Sequence, residues 1–189
     1  GSGEIPHAPW SSFASGIYNL IIDDTISSIG DGAFRGCVNL TSVKLPASLT
    51  TLSSRAFYGC EKLTSIEIPV GVSTIGAAAF SGCTALRYVI IHGKLTSLYS
   101  NTFEDCPNLN CLYFDNYSNA VSVSNTNAFQ YYLTNTKTIA VPPEAKGRNN
   151  FLNTNYPNTT EITHNGTSYV LYSDHICNWT YAGTLDICS

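Results

Sequence analysis

The residues with most chemical reach in this 189-residue chain are its seven cysteines and four histidines. Cys111 and His92 offer a thiol and a base, and a working pair of that kind needs contact at roughly 2.6–3.2 Å. The strand register argued below sets Cys111 beside Tyr88 of the neighbouring strand. His92 then lies four residues further along, about 13 Å away, too far to act as its base. His164, His175, Cys177 and Cys188 are zinc-ligand types, but their spacing matches no familiar ligand pattern. The phosphate loop, G-x-G-x-x-G, H-E-x-x-H and G-x-S-x-G are all absent from the sequence. The expectation is a non-enzyme, with no catalytic residue, no metal and no cofactor.

Four other cysteines lead to the elements that position everything else. Cys37, Cys60, Cys83 and Cys106 recur every 23 residues, and so do Phe34, Phe57, Phe80 and Phe103. Leu40, Leu63, Leu86 and Leu109 keep the same step, followed by Val43, Ile66, Val89 and Leu112 and then by Leu45, Ile68, Ile91 and Phe114. The repeats are 29–51, 52–74, 75–97 and 98–120, without an insertion. A fixed period of this length predicts a solenoid whose units bury their apolar faces only by stacking. Like residues then lie over like at about 4.8 Å, wider than the roughly 3.5–4.5 Å between Cβ atoms that a disulfide requires. The four thiols are expected to be reduced and buried, packing as small hydrophobes.

Within each repeat, Leu40-x-x-Val43-x-Leu45 has the leucine-rich-repeat spacing of a short strand with alternate residues inward. Pro46 and Pro69 stop the strand where a missing N–H matters least. Leu49, Val72 and Leu95 re-enter the core ahead of Leu52, Ile75 and Leu98. The recurring Ala33-Phe34-x-Gly36-Cys37 reads as one helical turn on the convex side, closed by a left-handed glycine. Asp105 takes that place in the fourth copy and tolerates the conformation less well.

The pattern I-G-x-x-A-F-x-G-C-x-x-L-x-x-I-x-I-P, written here by Ile75 to Cys83 and by Cys60 to Pro69, resembles the BspA-type (Treponema pallidum-type) leucine-rich repeats, over roughly residues 10 to 143. His92 and Asp115 depart from it at the post-strand proline, and Ser53 and Tyr99 at the glycine. The resemblance implies an α/β, right-handed horseshoe solenoid with a parallel concave sheet and short convex helical turns. It also implies a mostly bacterial surface or secreted protein used for adhesion or partner binding, and no catalytic residues. Localisation is accordingly expected to be extracellular or at the cell surface.

The solenoid is expected over 4–143, with an N-terminal cap from Trp10 to Ile26, where Ile17, Leu20, Ile22 and Ile26 form a half-repeat. Gly1-Ser2-Gly3 reads as a cloning remnant on a trimmed chain. Beyond 116 the composition turns rich in Asn, Ser and Thr, and Ile139-Ala140-Val141 reads as a displaced strand of a degenerate fifth repeat. Residues 144–189 form a C-terminal β-rich cap or begin a next domain, with a hairpin over 161–172 turning at Asn165-Gly166. A Cys177–Cys188 bridge stays open. Sequons at Asn39, Asn116, Asn158, Asn165 and Asn178 carry meaning only on a eukaryotic secretory route.

Only 12% of residues are charged and the net charge is −4, which favours neither nucleic acid nor an anionic membrane surface. No apolar run approaches the length of a spanning helix. That leaves the concave face. Its outward columns are Asn19, Ser42, Ser65, Tyr88, Cys111 and Ile21, Lys44, Glu67, Ile90, Tyr113, with Lys44 and Glu67 placed as a cross-strand pair. Tyr88, Ile90, Cys111 and Tyr113 are the candidate binding residues, since clustered outward aromatics mark interaction sites. The partner would be an extracellular protein or glycan, unless the chain's own tail covers the patch. The alternative function is a passive structural spacer or scaffold domain of a larger surface protein.

Overall fold

The computed structural model describes residues 3–8, 10–92, 95, 97–99, 101–109, 111–114, 138–141, 158–164 and 167–173. In chain order the strands are β1 (Gly3–Ile5), β2 (Asn19–Ile21), β3 (Ile26–Ile29), β4 (Ser42–Lys44), β5 (Thr51–Leu52), β6 (Ser65–Ile68), β7 (Thr74–Ile75), β8 (Tyr88–Ile91), β9 (Ser97–Leu98), β10 (Cys111–Phe114), β11 (Thr138–Val141), β12 (Asn158–His164) and β13 (Thr167–Ser173). The concave strands β2, β4, β6, β8 and β10 lie where the 23-residue apolar register places them, and every pairing among them and with β11 is parallel. Ser65 sits opposite Tyr88 and Tyr88 opposite Cys111, one period apart each time. The chain is a leucine-rich-repeat solenoid.

A second parallel ladder, β1-β3-β5-β7-β9, runs along the other edge of the coil. Its rungs are as short as two residues, too short for any alternation to show in the sequence. Leu52 and Ile75 at these rungs are fully buried, as is Leu98. Gly3 pairs with Ile26, and a side chain there would run into the Thr25 carbonyl.

Between the sheets lies one contiguous apolar core. Its axis is a column of stacked rings. Phe34 and Phe57 have centroids 5.2 Å apart, and Phe57–Phe80 and Phe80–Phe103 are each 5.7 Å apart, with planes within 11° of parallel. Each buried ring contributes on the order of 1.5–3 kcal/mol before entropy is subtracted, and each aromatic pair about 0.5–1.5 kcal/mol more. Trp10 extends the column by stacking on Phe34 at 4.9 Å.

The convex stretch is a run of tight turns. Alternate amides bond locally three residues back, as Tyr58 N–H to the Arg55 carbonyl and Cys60 N–H to the Phe57 carbonyl. The amides between them donate to the next coil: Phe57 N–H to the Ala79 carbonyl at 2.8 Å and Gly59 N–H to the Ser81 carbonyl at 2.8 Å. A continuous helix would satisfy both sets within one coil, whereas here half of them tie the coils together. Among the described residues the only helix is a 3-10 segment at Ser11–Gly16. Gly36, Gly59 and Gly82 close these turns with φ of 73°, 69° and 74°, and Asp105 is held in the same region at 55°. A second left-handed column precedes them, Gly32, Arg55, Ala78 and Asn101, with only one glycine in it.

At the C-terminal end β11 joins β10 with Thr138 opposite Cys111, a coil longer than 23 residues. β13 then pairs antiparallel with β11 and β12 with β13, His164 facing Thr167. The two residues between them, where the sequence reading sets the Asn165-Gly166 turn, lie outside the described residues, as do 142–157 and 174–189.

Candidate functional site

The concave face is built by the outward positions of the parallel strands. Register sets Ser65, Tyr88, Cys111 and Thr138 along one row, and Glu67, Ile90, Tyr113 and Ala140 along the next. Between these rows, Ile66, Val89 and Leu112 point into the core and are at most 2% exposed. The alternation therefore sets Tyr88, Ile90 and Tyr113 on the side opposite to these core residues.

Exposure divides them. Tyr88 presents 40% of its surface, whereas Ile90 and Tyr113 are each 8% exposed. The expectation of an open apolar patch is corrected for these two. Neither belongs to the contiguous core cluster, so their burial is separate from that of Val89 and Leu112. Strand alternation determines which face a residue is on, but not what lies over that face. The backbone of Cys111 lies opposite Tyr88, and its side chain is outside the described set. His92 follows Ile91, which is opposite Phe114, so the register keeps it away from Cys111 as argued.

Toward the N-terminal half, the concave sheet is interrupted. β2 pairs with β4 and β6 with β8, but among the described residues no ladder joins β4 to β6. A groove of about 950 Å³ overlies this break, bordered by Lys44, Glu67, Val70 and His92. The expected Lys44–Glu67 pair is not formed among the described residues. Glu67 instead faces His92 on its other side, with 3.8 Å between Oε2 and Nε2, because β8 is the strand in register with it. Both side chains are well exposed, so this pair is worth little.

The thiol column is buried and reduced, as the rung spacing requires. Sequence reasoning treated these thiols as apolar filler, and the structure adds a polar role. Cys60, Cys83 and Cys106 donate S–H to the carbonyls of Phe34, Phe57 and Phe80 at 3.3, 3.2 and 3.1 Å. Each acceptor carbonyl already takes a turn amide, so both its lone pairs are used. Burial pushes the Cys37 and Cys106 thiols up to about 12. Cys83 is also raised, by its hydrogen-bonded neighbour Cys60 first and by burial second. Such thiols are poor nucleophiles and poor metal ligands. Among the described residues no group of three or more His, Cys, Asp or Glu side chains could hold a metal ion. His164's side chain and His175, Cys177 and Cys188 lie outside the described set.

The 23-residue repeat thus builds a parallel solenoid with a stacked Phe column and a buried Cys column. Residues 10–137 match the BspA type leucine rich repeat region in six copies, and the chain belongs to that family. Among solved structures it is similar to the pneumococcal vaccine antigen PcpA (28% identity, TM-score 0.53, covering 59% of this chain and 28% of that one). It is also similar to a leucine-rich repeat protein from Eubacterium ventriosum (29% identity, TM-score 0.51, covering 55% and 27%). The match thus spans little more than a quarter of either structure's length. No curated protein matches the chain. Among the described residues no helix is long and apolar enough to cross a membrane.

Proposed function

We propose that this solenoid is a non-catalytic recognition module of a bacterial cell-surface or secreted protein, holding an extracellular protein or glycan on its concave face. The observation that carries the reading is Tyr88. It stands out from a strand whose core side is already filled by fully buried Val89 and Ile91, so folding does not account for a large aromatic there. Exposed tyrosines supply contact area at little entropic cost. Family membership and the likeness to a pneumococcal vaccine antigen support the same assignment. In this reading Tyr88 is the anchor, Cys111 lies beside it, and Ile90 and Tyr113 form the floor on which the anchor rests.

The test is a binding screen of the intact chain against arrays of extracellular-matrix proteins and of glycans, run in parallel with Tyr88→Ser. The expected result is a ligand whose binding Tyr88→Ser weakens by about tenfold or more while thermal stability is retained. Absence of any ligand, or ligands that Tyr88→Ser leaves untouched, would overturn the reading in favour of a passive spacer.

A further inference from the structure

The break between β4 and β6 leaves a charge on the concave face that a continuous sheet would pair. Elsewhere neighbouring coils are bonded at the entry to these strands: Thr41 N–H donates to the Tyr18 carbonyl at 2.7 Å and Arg87 N–H to the Thr64 carbonyl at 2.8 Å. The equivalent bond from Thr64 to Thr41 is missing among the described residues, and the groove of about 950 Å³ lies over the gap. Three carboxylates border this groove, Asp23, Asp24 and Glu67, against one lysine, Lys44. Asp23 accepts the Thr25 N–H at 2.9 Å and Asp24 the Ala47 N–H at 3.0 Å, so both serve the backbone. Among the described residues Glu67 bonds no backbone amide. Its contact is the long one to His92, and its side chain is 72% exposed.

Tyr88 is the diagonal neighbour of Glu67. Ser65 lies opposite Tyr88 and Glu67 opposite Ile90, so the two side chains leave the same face one rung apart and two residues along the strand. Strand geometry sets their Cα atoms roughly 8 Å apart, close enough for one planar cation to touch both. A guanidinium covers an aromatic ring with its face and forks to a carboxylate with its edge, which an ammonium does not do. The chain makes the ring half of this contact on its convex side, where Arg35 lies over Tyr58 at 5.2 Å, one coil apart. Over Tyr88 no cationic side chain lies among the described residues. At the border of the groove Val70 is 64% exposed, an apolar contact beside the charged one.

We infer that Tyr88, Glu67 and the groove form an arginine-binding site, and that the concave partner is an extended basic segment of a protein. The guanidinium lies on the Tyr88 ring and forks to the Glu67 carboxylate, while an aliphatic neighbour in the segment covers Val70. The excess of carboxylates at the border draws basic segments and repels acidic ones. This inference rests on the reading of Tyr88 as the anchor of the concave face, and adds the chemistry that the anchor selects.

The experiment uses the full chain and a blocked six-residue peptide of alternating arginine and valine. Titration calorimetry is expected to give saturable binding, weakened by about threefold or more with lysine in place of arginine and lost with citrulline, which keeps the shape without the charge. Glu67→Gln and Tyr88→Ser are each expected to weaken binding by about tenfold or more, and Glu67→Gln to flatten its salt dependence. Both side chains are exposed, and melting curves check that the variants fold as wild type does. Glu61→Gln removes the same charge from an exposed position outside the groove and is expected to leave binding unchanged. No binding by the wild-type chain, or equal weakening by Glu61→Gln and Glu67→Gln, overturns the proposal. So does a neutral glycan whose binding needs Tyr88 and not Glu67, and in that case the concave-face reading stands. Absence of any ligand that depends on Tyr88 overturns both.

Discussion

The Sγ of Cys83 lies 3.2 Å from the carbonyl oxygen of Phe57, one coil earlier, and donates its hydrogen to it. The same bond recurs from Cys60 to Phe34 and from Cys106 to Phe80. The two conspicuous columns of the repeat are therefore one device: the ring packs the axis and its carbonyl is satisfied by the thiol above. Cys83→Ala is expected to destabilise by about 1–2 kcal/mol, from a small cavity and a carbonyl left with one partner. Chemical denaturation followed by far-UV circular dichroism measures it, and a neutral result would reduce the thiol to filler.

These thiols also predict an alkaline limit. Their folded values stand near 12 for Cys37 and Cys106 and are raised for Cys83, above the ordinary thiol value. An unfolded thiol therefore releases its proton at lower pH than a folded one, and the unfolded state binds fewer protons as pH rises. The contribution is complete below about pH 8.5 and is lost on the way to about 12. Melting temperatures taken across pH 8 to 11 should fall, less steeply for Cys83→Ala. Equal slopes would show that other groups set the limit.

Phe57 sits between two stacked rings and is fully buried. Phe57→Ala should cost about 3–5 kcal/mol, since neighbours locked in register on both sides cannot collapse into the gap. Trp10→Ala, at the end of the same column, should cost less, because Trp10 has a ring on one side only and is incompletely buried. Urea unfolding of the two variants compares them directly, and the reverse order would mean that the end, not the middle, holds the column together.

The left-handed positions offer a gain rather than a loss. Asp105 and Arg55 carry side chains at φ of 55° and 53°, where glycine occupies equivalent sites in other coils. Relief of about 1–2 kcal/mol of strain outweighs the entropy that glycine adds to the unfolded chain, so Asp105→Gly and Arg55→Gly should each stabilise by up to about 1 kcal/mol. The mirror change, Gly59→Ala, should destabilise. Thermal melts of the three variants check the sign at each site.

Tyr88 and Tyr113 separate surface from interior on one face. Tyr113→Ser should destabilise by about 3 kcal/mol because Tyr113 is buried, while Tyr88→Ser should stay within about 0.5 kcal/mol of wild type. Differential scanning fluorimetry suffices to tell them apart. A large loss at Tyr88 would show that it belongs to the packing.

The sequence by itself determined the solenoid, its parallel concave strands, the buried Phe, Leu and Cys columns and the left-handed residue closing each convex turn, glycine in three copies and Asp105 in the fourth. It could do so because every interior coil meets the same neighbours, so a 23-residue period states the environment of Cys60 as plainly as that of Cys83. Only the tertiary structure decided what periodicity leaves unstated. The rungs β5 and β7 are two residues long and show no alternation. The thiol-to-carbonyl bonds depend on where a Phe carbonyl of one coil falls beneath the next. The break between β4 and β6 turned Glu67 from Lys44 to His92. Ile90 and Tyr113 stand on the predicted face yet are buried. Such features arise where the repeat loses its symmetry, at a face or an end. There the environment of a residue is made by segments that are distant in the sequence and follow no period.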